Sequence, residues 1–62
     1  MNNMTDFEKI KRALFEGGYV EGSKHFEINE WTESKYIFLN FFDELVRVEF
    51  KFDGKGNLLF IS

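Results

Sequence analysis

Few side chains in this chain could carry covalent chemistry. Its single histidine is His25. Read on a strand, where alternate residues share a face, His25 could neighbour Asn40, Arg47 and Glu49. A general base beside an arginine that holds an anion is the catalytic arrangement those types allow. Nothing else supports it. The chain has no cysteine nucleophile. Ser23, Ser34 and Ser62 lack the strand–turn–helix setting of a nucleophile elbow. A chain of 62 residues also has little room for a pocket that excludes water. Solvated polar side chains are the expected reading, with no enzyme activity and no small-molecule substrate.

Metal chemistry fares no better. DGKGN, residues 53–57, starts like a calcium loop. However, Lys55 occupies a ligand position and the downstream glycine and glutamate are missing. Without cysteine, a thiolate zinc site is impossible, and one histidine rules out a histidine-rich site. No cofactor or metal is expected.

The chemistry that remains is contact. YIFLNFFDELVRVEFKF, from Tyr36 to Phe52, is rich in Phe and Tyr. Such rings serve a core, a protein interface or a stack of nucleic-acid bases. The net charge is −3 and the sequence pI about 5.0. This argues against a nucleic-acid partner, because phosphate binding rests on clustered Lys and Arg.

The elements that must position these rings follow from periodicity. Thr5-Asp6-Phe7-Glu8 is a capping box, with Thr5 as N-cap. Phe7, Ile10 and Leu14 then form one stripe at helical spacing, with Phe15 at its edge. Gly17 and Gly18 end the pattern, predicting a helix over 5–16. From there the period becomes two. Strands are expected at 24–29, 36–42, 45–52 and 58–62, joined by a loop at 29–34, a tight turn at Asp43–Glu44 and a bulged turn at DGKGN. Short links favour an antiparallel meander. The predicted fold is α+β: one N-terminal helix packed on a four-stranded antiparallel meander, α-β-β-β-β. Residues 1–4 are expected to fray, and 5–62 to form one domain.

An even-numbered turn at Asp43–Glu44 places Ile37, Leu39 and Phe41 with Val46, Val48, Phe50 and Phe52. An odd one would bury Asn40 without a partner, at about 1–3 kcal/mol. The even register therefore defines the core face, to which Phe26, Ile28, Leu58 and Phe60 are added. The opposite face keeps Tyr36, Phe38, Phe42, Leu59 and Ile61, interleaved with Arg47 and Lys51. A single short helix cannot cover both faces.

These seven residues, with Trp31, are the candidate protein interface. The blander alternative is that the stems of Arg47 and Lys51 lie over Tyr36 and Phe38. Trp31 is expected to fold back over the edge of the core rather than stand out as an anchor. Glu27, Glu30, Glu33, Asp43 and Glu44 make either a solvated rim or an acidic surface for a basic partner.

The expected function is thus a small acidic protein-interaction module, self-associating as a homodimer or binding a host protein. Abundant Phe, Lys, Glu, Asn and Ile without Pro or Cys suits an AT-rich bacterial or phage genome, hence a phage- or mobile-element-encoded inhibitor or regulator. The alternative is a single-stranded nucleic-acid-binding module using Tyr36, Phe38 and Phe42. No apolar run approaches the ~20 residues of a membrane span, and the N-terminus lacks a signal-peptide pattern. Cytoplasmic localisation is expected.

Overall fold

The computed structural model describes residues 4–41 and 45–62. Helix α1 spans Asp6–Glu16, followed by strands β1 (Phe26–Glu30), β2 (Ser34–Phe41), β3 (Val46–Asp53) and β4 (Leu58–Ile61). The strands form one antiparallel sheet in the order β1-β2-β3-β4, the meander expected from the short links.

The helix begins where its cap dictates. The Glu8 amide donates to Thr5 Oγ1 at 3.2 Å, and the Thr5 amide donates to Glu8 Oε1 at 3.0 Å. It ends in a Schellman motif. Gly18 takes φ 93°, with its amide bonded to the Phe15 carbonyl and the Tyr19 amide to the Leu14 carbonyl. Of the residues expected to fray, Met4 is half-buried, with its sulfur 3.9 Å from Arg12 Nη1. Residues 1–3 lie outside the described residues.

The register between β2 and β3 pairs Ile37 with Phe50, Leu39 with Val48 and Phe41 with Val46. This is the even register. The Asp43–Glu44 turn itself lies outside the described residues, as does Phe42. Asn40 stays off the core and donates from Nδ2 to the Lys24 carbonyl at 3.0 Å. Between β1 and β2, Phe26 faces Leu39 and Ile28 faces Ile37. The link there is tighter than expected. The Trp31 amide reaches the Ser34 carbonyl at 3.0 Å, leaving only Thr32 and Glu33 as the turn.

Phe7, Phe26, Ile37, Leu39 and Phe52 form the buried core. Phe7 from the helix meets Phe52 edge-on at 5.2 Å, while Phe15 and Tyr19 meet Phe26 edge-on at 5.7 and 6.2 Å. Each buried ring contributes about 1.5–3 kcal/mol relative to exposure.

Strand β4 departs from the expectation. Its turn, Gly54–Gly56, has the expected length and is closed by the Asp53 amide on the Asn57 carbonyl at 2.9 Å. Beyond it the register shifts. Phe52 pairs with Leu58, but Lys51 pairs with Phe60 and Phe50 with Ile61. Leu59 is the extra residue of a β-bulge, so two residues of β4 oppose one of β3. Phe60 therefore belongs to the face of Lys51, and Ile61 to the helix-side face of Phe50. Both assignments reverse the expected ones. Leu58 to Ile61 is an unbroken apolar run, so alternation could not mark the shift.

Candidate interaction face

The sheet face opposite the helix is built by odd and even positions of neighbouring strands that the register aligns. Asn29 faces Tyr36, Tyr36 faces Lys51, and Lys51 faces Phe60; one step along, Glu27 faces Phe38 and Phe38 faces Glu49. Tyr36 and Phe38 sit two apart on β2. Their rings stack at 5.7 Å with planes only 4° apart. Trp31 packs edge-on against Tyr36 at 6.0 Å. The three rings make a continuous row.

Two cations lie on that row. The Arg47 guanidinium carbon is 4.3 Å from the Phe38 ring centre. Lys51 Nζ lies 5.5 Å from the ring of Tyr36 and 5.8 Å from that of Phe60, so one ammonium bridges β2 and β4. Each such contact is worth ~0.5–1 kcal/mol at an exposed site. The charged ends of both side chains lie over these rings, and Tyr36 and Phe38 are half-buried. Among the described residues neither cation forms an ion pair, the salt bridge there being Arg12–Glu16.

Of the sequence-derived set, the structure brings together Trp31, Tyr36, Phe38, Arg47 and Lys51. Ile61 is on the other face, and Leu59 sits at the bulge. Phe42 lies outside the described residues. Phe60, 47% exposed, joins the face and was missed, since only the bulge turns it there. Trp31 does not fold back over the core. It is 60% exposed and rests on Tyr36.

Lys35 explains the position of Trp31. On the core face at the sheet end, its Nζ donates to the Trp31 carbonyl at 3.3 Å and the Gly54 carbonyl at 2.8 Å. It clips the β1–β2 turn to the β3–β4 turn. Gly54 has to be glycine there, because a Cβ would run into the carbonyl oxygen of Thr32.

His25 is exposed, with Nδ1 3.3 Å from the Asn40 carbonyl oxygen. Arg47 pairs with Asn40 across the strands, whereas Glu49 is opposite Phe38. The four polar residues thus share a face. No enclosed cavity forms among the described residues. The Asp53 carboxylate at the head of DGKGN is occupied by its own turn. It accepts from the amides of Asn57 and Lys55, each at 2.9 Å, and from Asn57 Nδ2 at 3.1 Å. Among the described residues, no helix is long and apolar enough to cross a membrane.

No family model matches the chain, and neither a curated protein nor a solved structure is significantly similar to it.

Proposed function

We propose that this protein is a small cytoplasmic interaction module that works by contact and self-associates across the sheet face opposite its helix. The observation that carries the reading is the Trp31–Tyr36–Phe38 row with Arg47, Lys51 and Phe60, on a face that no described element of the chain covers. A second copy suits it by charge. The chain carries net charge −3, yet on this face Arg47 and Lys51 are balanced by Glu27 and Glu49. A two-fold packing that sets the cations of one copy against the carboxylates of the other is open to such a face. A standard interface takes about 800 Å² per partner, roughly a fifth of the 4423 Å² this chain exposes.

Sedimentation equilibrium across a dilution series tests the reading. The wild type is expected to shift from dimer to monomer mass on dilution, and Phe38→Glu to stay monomeric with an unchanged circular dichroism spectrum. A wild type that is monomeric at the highest concentration overturns self-association. Composition supports the finer reading of a phage- or mobile-element-encoded regulator that occludes a host protein. Capture from bacterial lysate by the wild type but not by Phe38→Glu is its test.

The stacked Tyr36–Phe38 pair beside two cations also favours a second reading, single-stranded nucleic-acid binding. It ranks lower because Arg47 already occupies a face of the Phe38 ring, where a base would stack. Salt-dependent binding of an oligonucleotide, lost in Phe38→Ala, is the expected outcome under that reading.

A further inference from the structure

The two edges of the sheet are guarded unequally. On β4, the Leu58 amide is turned away from β3 and donates to Asp6 Oδ2 at 2.9 Å. The adjoining bulge breaks the regular spacing that another strand would need. On β1, the first outward residue is also occupied: the Phe26 amide donates to the Ser23 carbonyl at 3.4 Å, and the Phe26 carbonyl accepts from Gly22 at 2.9 Å.

The rest of β1 is open. His25 and Trp31 turn their backbone groups toward β2, through Asn40 and Ser34 respectively. Antiparallel alternation then turns Phe26, Ile28 and Glu30 outward. Ile28 and Glu30 have no partner for their outward amides and carbonyls among the described residues. That edge is acidic. Glu27, Glu30 and Glu33 are exposed, and none is in an ion pair among the described residues. Lys35, directly across from Glu30, commits its ammonium to the Trp31 and Gly54 carbonyls instead. Exposed Trp31 directly follows the last residue of the strand.

We infer that the β1 edge is a strand-addition site for an extended, basic segment of a partner protein. Main-chain bonds to Ile28 and Glu30 supply the pairing, and Lys or Arg opposite Glu27 and Glu30 supplies the selectivity. A basic segment suits this edge better than a second copy, whose own Glu27 and Glu30 would add negative charge to an already acidic seam. The site shares Glu27 with the aromatic face but rests on the open backbone of Ile28 and Glu30, which that face does not use.

The probe is an extended peptide of about ten residues centred on Lys-Thr-Val-Lys, which in antiparallel pairing sets its lysines opposite Glu30 and Glu27. Two controls accompany it, one with glutamate for lysine and one N-methylated at the valine. Hydrogen exchange of the Ile28 and Glu30 amides, read by NMR at saturating peptide, is expected to slow at least tenfold. Binding should weaken with salt and fall at least tenfold in Glu30→Lys, whose amide spectrum otherwise keeps the native pattern. Both controls should fail to protect these amides. Absent protection at Ile28 and Glu30 overturns the proposal. So does equal binding of the N-methylated peptide, which would indicate charge attraction without strand pairing. Solution mass in the same samples reports self-association separately.

Discussion

Gly56 joins two requirements at one atom. It takes φ 96° in the β3–β4 turn, and a Cβ built on it would lie 2.7 Å from Thr5 Oγ1 and 2.9 Å from Thr5 Cβ. A side chain there strains the backbone and pushes away the residue that caps the helix. Gly56→Ala is therefore expected to lower unfolding free energy by about 1–3 kcal/mol, seen as a lower urea midpoint. Asp53, in the same turn, gives a pH dependence of known sign. Hydrogen bonds from the backbone of Asn57, then from its side chain, then from Lys55 and Gly56, hold its pKa below the ordinary 3.8. A depressed folded-state pKa means that the stabilisation is complete above the unfolded value and is lost as pH falls through the folded one. The stability advantage of wild type over Asp53→Ala should thus be constant near neutrality and shrink below about pH 4. Thermal melts of both proteins across that range provide the check.

At the scale of elements, the helix and the β3–β4 hairpin hold each other in place. The Phe7 amide donates to the Gly56 carbonyl at 2.9 Å, Asp6 accepts from Leu58, and the Phe7 ring meets Phe52 in the core. The helix thereby protects an edge strand whose Leu59, Phe60 and Ile61 are all about half exposed. Asp6→Ala removes the acceptor and leaves the Leu58 amide facing outward. The expected cost is about 1 kcal/mol, with faster exchange of the Leu58 amide than of the core amides. Because the freed edge is apolar, the variant should also aggregate sooner than wild type on concentration, as light scattering would record.

A chain of 62 residues buries only about 60% of its unfolded surface. Its core rests on five buried hydrophobic side chains among the described residues, with no disulfide to assist them. Self-association would add to that by mass action, since a partner that binds only the folded chain raises its stability. The expected signature is a melting temperature that rises with protein concentration in the wild type and stays flat in Phe38→Glu. A concentration-independent wild-type melt would count against the dimer.

The sequence by itself determined the parts governed by local chemistry or by a polar marker. The Thr5–Glu8 box and the Gly17–Gly18 stop set the helix, and period-two alternation marked β1 and β3. Asn40, a polar residue with nowhere to go in the core, set the register of β2 against β3. The same bookkeeping isolated Tyr36, Phe38, Arg47 and Lys51 as one face. Only the tertiary structure decided the rest. The bulge at Leu59 turns Phe60 to the outer face and Ile61 to the helix-side face, and four consecutive apolar residues offer no signal of it. Trp31 rests on Tyr36 because Lys35 ties its turn to Gly54, a contact between residues 19 apart in the chain. Which backbone groups stay open at the sheet edges depends on Asp6 and Gly22 arriving from elsewhere. Hydrophobic periodicity reports which way a side chain leans, but the placement of these edges and rings is fixed by long-range hydrogen bonds that periodicity does not encode.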